Sequence, residues 1–264
     1  MMKRYVFFFG CVFITGLVGC SLVDEPEQDR QVMIKFSAAS LLSGSSLKLA
    51  ASQEEDLFTK VILFAVDDQN EVKDTFILKN PSLSGTSCTL PREIKLLYAI
   101  ANPSPEIENE EPETVSDLNL MTCDFTLAPY SPFLMSGIGE ITDESSVSIT
   151  LVRAIAKINI VNNDHNFVIE SITVNDTPAK GYVFDVENRP PLIIETTTYS
   201  YSGNSSVYVA ENSQSELKTE FVVTGQYQDQ PIIHTFHLTK DDGQDIDIVR
   251  NNCYHVDICF ESDD

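Results

Sequence analysis

The sequence predicts an all-β protein with one β-sandwich in each half, and three observations lead to that fold class. Roughly fourteen short stretches are alternating or almost continuously apolar, with lengths typical of β-strands. Residues that favour turns separate these stretches, as at Asp67-Asp68 and at Ser202-Gly203. No stretch shows a convincing amphipathic helical pattern. Many short strands without helices between them favour stacked sheets over an α/β fold.

The fold is organised around residues 147–161, which read V-S-I-T-L-V-R-A-I-A-K-I-N-I-V. Up to Leu151 the apolar residues have odd numbers, and after it they have even numbers. Such a change of phase turns side chains to the opposite face and marks a bulge or a passage between two cores. We therefore expect the joint between the two halves here, with Arg153, Lys157 and Asn159 pointing away from the second core. The alternative interpretation is one amphipathic helix over the same residues.

The other strands are predicted from short apolar or alternating runs. In the first half they fall at residues 32–38, 57–66, 75–78, 94–101 and 121–127. In the second half they fall at residues 167–174, 182–186, 192–195, 207–209, 217–224, 232–239 and 253–260. The run 57–66 is nearly all apolar, which is typical of a strand buried on both faces. The acidic stretch 104–117 contains two prolines and is interpreted as a solvated excursion between strands.

The N-terminus carries the features of an export signal. Lys3 and Arg4 precede an apolar stretch that is too short for an ordinary membrane span. The stretch ends in L-V-G-C at Cys20, which resembles the lipobox of bacterial lipoproteins. This resemblance implies that residues 1–19 are removed and that Cys20 is acylated, so that lipid anchors the protein to a membrane. Residues 20–30 are then a polar tether.

The charge of the chain excludes one class of partner. Forty acidic residues stand against 17 lysines and arginines, and the formal net charge is −23 at pH 7. Such a surface repels phosphate backbones, so no nucleic-acid partner is expected. The same charge also keeps an exposed protein soluble.

The cysteines give no disulfide framework. Besides Cys20, the mature chain has Cys88, Cys123, Cys253 and Cys259. The last two are six positions apart on one predicted strand, which places them ~20 Å apart and too far for a disulfide. We expect no disulfides.

Metal and catalytic chemistry is not predicted either. One face of the last predicted strand carries Cys253, His255, Asp257 and Cys259. Neighbours on that face are ~6.6 Å apart, so at most one adjacent pair could share an ion, and no metal site is expected. The sequence contains no nucleophile elbow, P-loop, dinucleotide-binding or zinc-protease motif. We therefore expect no catalytic residues, no cofactor and no enzymatic activity.

An ordered set of short motifs resembles the fimbrillin family, the subunits of type V pili in Bacteroidales. After the lipobox come Y-A-I-A-N-P at 98–103, M-S-G at 135–137, L-V-R-A-I-A-K-I at 151–158, V-N at 174–175, Y-V-A-E-N at 208–212 and R-N-N-C-Y at 250–254. The resemblance implies two tandem transthyretin-like β-sandwich domains, at residues 31–147 and 148–264. It also implies export to the outer membrane as a lipoprotein, a place in a cell-surface fimbrium, and a role in adhesion and biofilm formation.

The family also implies a route of assembly. In polymerising members a trypsin-like protease cuts after a basic residue that follows the first strand, and a strand of a neighbouring subunit fills the groove left behind. The matching position here is Lys48, so the candidate processing site is Lys48-Leu49. Cutting at Arg30 would remove only the tether. The partners implied are other fimbrial subunits through donor-strand exchange, the outer membrane, and a host or bacterial surface ligand.

Two departures from the family pattern bear on the position in the fimbrium. Major pilins usually carry Arg at the Lys48 position, and the sequence stops just after the last predicted strand. A subunit without a long C-terminal extension suits a tip or anchor position better than the shaft. The alternative function is that of a non-polymerising outer-membrane lipoprotein that binds a glycan or host protein.

Overall fold

The computed structural model describes residues 29–43, 54–82, 84–142, 145–187, 189, 190, 192, 195–203, 206–213, 217–240 and 242–258. Within these ranges it contains seventeen strands and two short helices. The all-β prediction is therefore confirmed.

Nine strands lie in the first half of the chain. They are β1 (Arg30–Ala38), β2 (Leu42–Ser43), β3 (Lys60–Val66), β4 (Val72–Lys79), β5 (Thr86–Leu90), β6 (Leu96–Ala101), β7 (Thr122–Asp124), β8 (Met135–Glu140) and β9 (Ser146–Arg153). Seven of them form one sheet in the order β4-β3-β6-β8-β9-β1-β5. β8 and β9 are joined by only two residue pairs at this sheet's centre. One buried core holds side chains from β3, β6 and β8 together with side chains from β1, β5 and β9, so the two ends of the sheet face each other as a sandwich.

Eight strands lie in the second half. They are β10 (Ile155–Asn162), β11 (Phe167–Pro178), β12 (Lys180–Tyr182), β13 (Thr196–Ser202), β14 (Ser206–Ala210), β15 (Glu220–Tyr227), β16 (Gln230–Phe236) and β17 (Asn252–Ile258). Two four-stranded sheets have the orders β14-β10-β17-β2 and β13-β11-β15-β16. Their inner faces enclose a second buried core. One strand of the first of these sheets, β2, comes from the N-terminal part of the chain.

The predicted joint lies at Ala154, the residue between β9 and β10. β9 belongs to the first sheet and β10 to the second, so the change of phase does mark a passage between two cores, and the single-helix alternative is wrong. Arg153 was expected to point away from the second core, and it continues the buried phase of β9 with only 1% of its surface exposed. The domain boundary at 147/148 falls inside β9, and the division into two transthyretin-like domains stays a prediction.

A third core connects the halves. It lies on the other face of β3 and β6, and it includes Val183 and Phe184 from the second half. β7 also pairs antiparallel with β12, so a small two-stranded sheet bridges the halves. Residues of β3 alternate between the first core and this one, which confirms the prediction of a strand buried on both faces.

The acidic stretch 104–117 was expected to be a solvated excursion, and this is wrong in part. It contains α1 (Pro105–Glu108) and the start of α2 (Val115–Leu120). The side chain of Thr114 accepts a hydrogen bond from the main chain of Asp117, whose carboxylate accepts one from the N–H of Thr114. This capping box starts α2, and the Thr-x-x-Asp pattern was the signal available in the sequence.

Several strand predictions need correction. The strand predicted at 121–127 is shorter, because β7 ends at Asp124, and of the stretch 182–186 only Tyr182 lies in a strand, as the last residue of β12. The described residues of the stretch 192–195 are not in a strand. The sequence reading missed β2, β5, β8 and β13, because their short, Ser-, Thr- or Gly-rich sequences carry little apolar alternation.

Asn102 directly follows β6 and has a left-handed conformation, with φ of 52°. Its Nδ2 donates to the main-chain carbonyls of Leu57 at 2.9 Å and Phe133 at 2.8 Å, and its Oδ1 accepts from the N–H of Thr59 at 3.1 Å. Asparagine tolerates this backbone conformation better than most residues, and here its amide also joins three segments. This explains the Asn in the Y-A-I-A-N-P motif.

Candidate strand-docking groove

The first described strand occupies a groove between two other strands. β1 pairs in parallel with β9, from Met33 opposite Ser146 to Ala38 opposite Leu151. On its other side it pairs antiparallel with β5, which has no other partner strand among the described residues. Removing β1 would therefore unpair one edge of β9 and leave β5 without a neighbour.

Apolar side chains attach β1 to the first core. Val32 and Ile34 are completely buried and Phe36 is 3% exposed, whereas Met33 and Lys35 between them point outward. The ring of Phe36 contacts that of Phe58 edge-on, with centroids 6.2 Å apart. Full burial of such a side chain stabilises by ~1.5–3 kcal/mol, so these three side chains contribute much of the binding of β1.

The chain then crosses from the first sheet to the second. Leu41 is buried, and β2 pairs in parallel with β17 through Leu42 opposite Asn252 and Ser43 opposite Cys253. The segment Arg30–Ser43, which we call the N-terminal segment, therefore contributes a strand to each of two sheets. The groove it fills runs between β9 and β5 and then along β17.

Arg153 lies at the crossing point. Its Nη1 donates to the main-chain carbonyl of Ala39 at 2.7 Å and to Oδ1 of Asn251 at 2.7 Å. Its Nε donates to the carbonyl of Glu55 at 3.1 Å, and its Nη2 pairs with the carboxylate of Asp56. Burial lowers the pKa of the guanidinium, and the neighbouring carboxylates oppose this shift, so the group remains charged.

A buried carboxylate lies beside this arginine. Glu55 is 3% exposed, and its Oε1 accepts from Nζ of Lys157 at 2.8 Å and from the hydroxyl of Tyr208 at 2.5 Å. Burial raises the pKa of Tyr208, and the bond to Glu55 raises it further. The turn at Glu55 and Asp56 is thus tied to both β9 and β10.

The sequence reading missed this polar cluster, although one signal was present. Arg153 continues the buried odd-numbered phase of β9 after Leu151, so the strand pattern alone placed it inside. We instead assigned it to the shifted phase of β10. The R-x-x-A-K motif therefore carries two polar contacts, a buried one through Arg153 and a partly buried one through Lys157.

The predicted lipidation and processing sites lie outside the described residues. This applies to Cys20, Lys48 and Leu49. The described chain stops at Ser43, paired with β17, and resumes at residue 54, next to the buried Glu55.

The described cysteines are free and buried. They are Cys88, Cys123 and Cys253. Burial raises the pKa of each thiol, to about 12 at Cys123. Cys259 lies outside the described residues, so the absence of disulfides from the whole chain stays a prediction.

The candidate metal face in β17 brings two groups near each other. Sγ of Cys253 lies 3.8 Å from Nε2 of His255, whose Nδ1 lies 3.2 Å from Nδ2 of Asn159. Among the residues that the structure describes, no three histidine, cysteine, aspartate or glutamate side chains lie close enough together to hold a metal ion. Likewise, no helix in the described ranges has the length and apolar character of a membrane span.

Comparisons with known proteins find likeness in structure only. No family model and no curated protein match the sequence. A fimbrial assembly protein from Parabacteroides distasonis has a TM-score of 0.61 at 14% identity, over 89% of this chain and 93% of that one. The C-terminally truncated tip fimbrial protein Mfa3 from Porphyromonas gingivalis has a TM-score of 0.60 at 13% identity, over 89% and 96%. This chain has a fimbrial-protein fold.

A third structure with this fold is the fimbrilin FimA from Porphyromonas gingivalis W83. Its TM-score is 0.56 at 14% identity, over 88% of this chain and 90% of that one. These matches agree with the all-β fold that the fimbrillin resemblance implied. In each case the fimbrial-protein fold extends over nearly the full length of both chains, so the likeness includes both halves and the joint between them.

Proposed function

We propose that this protein is a structural or accessory subunit of a type V fimbria, of the fimbrillin family, and that it serves cell adhesion and biofilm formation. The observation that carries the proposal is the position of the N-terminal segment, which lies between two strands of one sheet and continues along a second. Support also comes from the fimbrial-protein fold and from the ordered motifs.

In this proposal the N-terminal segment holds the place of a strand from another subunit. Protease cutting after Lys48 breaks the covalent connection between β2 and the body of the chain. The exposed edges of β9 and β5 then accept an extended strand from a neighbour, because unpaired N–H and C=O groups at a sheet edge favour pairing with another chain. Acylated Cys20 keeps the precursor at the outer membrane until the cut.

Mass spectrometry of the protein taken from the cell surface tests this function. A mature chain that starts at Leu49 supports processing and strand exchange. A Lys48→Gln variant is expected to stay uncut and to remain out of the polymer, while a Lys60→Gln variant, changed at a basic residue inside β3, should be processed normally. Polymer containing chains that still start at acylated Cys20 would refute the proposed exchange.

A second candidate function is a surface lipoprotein that binds a glycan or host protein and does not polymerise. A cleft beside α2 favours it, with polar residues in its lining that include Asn70, Ser116, Asn119 and Arg189. Oδ1 of Asn119 is buried there and has no hydrogen-bond partner within the described part of the chain. Binding on a glycan array that an Asn119→Ala variant loses, by a chain still acylated at Cys20, would support this function.

A further inference from the structure

The groove holds the inward side chains of β1 in sites that differ in size. Val32 lies opposite Cys88 of β5, and Ile34 lies between Thr86 of β5 and Val147 of β9. Both Val32 and Ile34 are completely buried. The first two sites are therefore each filled by a β-branched aliphatic side chain, the shorter one first.

The third site holds an aromatic ring. Phe36 lies opposite Ile149 of β9, beyond the last residue pair between β1 and β5. Its ring contacts that of Phe58 edge-on, and the residue is almost completely buried. Two residues later, Ala38 lies opposite Leu151 and is only partly buried. The inward side chains thus increase in size up to Phe36 and then fall to a methyl group.

A basic residue precedes the first of these sites. Nη2 of Arg30 donates to the main-chain carbonyl of Ile94 at 2.7 Å. Arg30 is two positions before Val32, so both belong to the same face of the strand. Since a guanidinium stays charged in proteins, the inward face of β1 begins with a charge and continues with apolar side chains.

This order of side chains disfavours a slip of two residues in either direction, although such a slip keeps the alternation. In one direction the guanidinium of Arg30 enters the buried site of Val32, and burial of an unpaired charge is costly. In the other direction Ala38 comes to the site of Phe36 and leaves a cavity, while the ring of Phe36 enters the smaller site of Ile34. The main chain offers the same groups in every register, so only the side chains distinguish the registers.

We propose that the groove selects the strand that fills it by the sizes of its inward side chains, and that Phe36 and Arg30 set the register of β1. This inference rests on the proposed function, because another strand can enter only after the N-terminal segment leaves. The partner is an extended strand of another subunit. Its inward side chains are, in order, two β-branched aliphatic residues, an aromatic residue and a small residue.

Cysteine cross-linking measures the register of a captured peptide. The full mature chain is cut once at Lys48 and incubated with an excess of an acetylated peptide of residues 28–40, which contains β1 but not β2 and carries Lys35→Cys. Three forms of the chain each carry one cysteine on the outward face of β9: Ser146→Cys, Ser148→Cys or Thr150→Cys. Lys35 lies opposite Ser148. Capture by Ser148→Cys should exceed the other two roughly tenfold or more, since an empty site for an aromatic ring alone costs at least that factor.

A peptide with its pattern moved two positions later tests the role of side-chain size. Three substitutions move the series: Ile34→Val, Phe36→Ile and Ala38→Phe. The aromatic ring of this peptide reaches Phe58 only if the strand slips by two residues, which brings the peptide cysteine opposite Ser146. Capture by Ser146→Cys should then exceed capture by Ser148→Cys roughly tenfold. The matched control is Ser37→Ala, which changes an outward residue and should leave capture at Ser148→Cys.

The opposite shift tests Arg30. Four substitutions move the series two positions earlier: Arg30→Val, Val32→Ile, Ile34→Phe and Phe36→Ala. This peptide should be captured by Thr150→Cys, because Thr150 lies two residues beyond Ser148. The same peptide with Arg30 retained should lose that capture roughly tenfold or more, since its guanidinium would enter the site of Val32. Arg30→Val alone is the control and should leave capture at Ser148→Cys, because Phe36 still fits its site.

The outcomes separate this inference from the proposed function. Capture that stays at Ser148→Cys with both moved patterns would overturn the inference while leaving strand exchange intact. Equal capture with and without Arg30 would overturn the role of that residue. No capture of any peptide by any of the three cut chains would refute the proposed function, and this inference with it. The pattern changes are all in the peptide, so they do not depend on how a protein variant folds.

Discussion

Truncating one buried side chain of β1 tests how strongly the N-terminal segment is held. Ile34 is completely buried and lies opposite Thr86 of β5 and Val147 of β9. Because a strand flanks it on each side, the site has little room to collapse around a cavity. Ile34→Ala should therefore lower the free energy of unfolding by ~2–5 kcal/mol.

Equilibrium urea unfolding of the uncut chain measures this loss. The chain has no tryptophan, so far-UV circular dichroism is the suitable probe. With a denaturant slope of ~2–3 kcal/mol per molar, the midpoint should fall by about 1 M or more. The matched control is Lys35→Ala, one residue along the strand and exposed, which should change stability by less than ~0.5 kcal/mol.

The same two variants, Ile34→Ala and Lys35→Ala, can be compared in the chain cut at Lys48. Each 1.4 kcal/mol lost corresponds to about a tenfold change in an equilibrium constant, so Ile34→Ala should release the N-terminal segment at least tenfold more readily than Lys35→Ala. Equal midpoints and equal retention for the two variants would refute the reasoning, because β1 would then not be packed through its inward face.

Three further predictions concern other parts of the fold. Asn102→Ala should lower the free energy of unfolding, measured in urea, by ~2–4 kcal/mol. Asn102→Gly should lower it by about 1 kcal/mol less, since glycine accepts the left-handed backbone. Equal losses would contradict a role for the backbone conformation. Burial raises the pKa of Cys123 from 9.0 to about 12, so its thiol should react with iodoacetamide at neutral pH about a thousandfold more slowly in the native protein than in urea. Peptide mass spectrometry measures the two rates. Similar rates would show that the thiol is accessible. Hydrogen bonds from Thr114 lower the pKa of Asp117 below 3.8, so its stabilising effect is complete above that pH and lost as the pH falls through the lowered value. Asp117→Asn should therefore flatten the acid end of a stability-versus-pH curve, and an unchanged acid limb would count against the capping box.

The sequence predicts those parts of the fold that depend on local alternation. β1, β3 and the pair β9–β10 all have clear apolar periodicity, and the structure places each within a few residues of its predicted bounds. The change of phase after Leu151 was informative because a strand can change faces only where it leaves one core for another. Local patterns of this kind need no knowledge of the neighbouring strands.

Other features depend on contacts that are distant in sequence. β2 has two residues and exists because β17 pairs with it, more than two hundred positions along the chain. The central position of β1 between β9 and β5 likewise has no local signature, since edge and central strands can share the same alternation. Nothing in the sequence around Glu55 predicts that its carboxylate is buried against Lys157.

Arg153 shows why the burial of polar side chains is difficult to predict from a sequence. A charged residue in an apolar run is assigned to the exposed face, because burial of an unpaired charge is costly. Here the cost is offset by four partners from three separate segments, none of which is near Arg153 in sequence. Arg153 is bonded both to the body of the protein and, through the carbonyl of Ala39, to the N-terminal segment, so removal of that segment takes away one of its four partners.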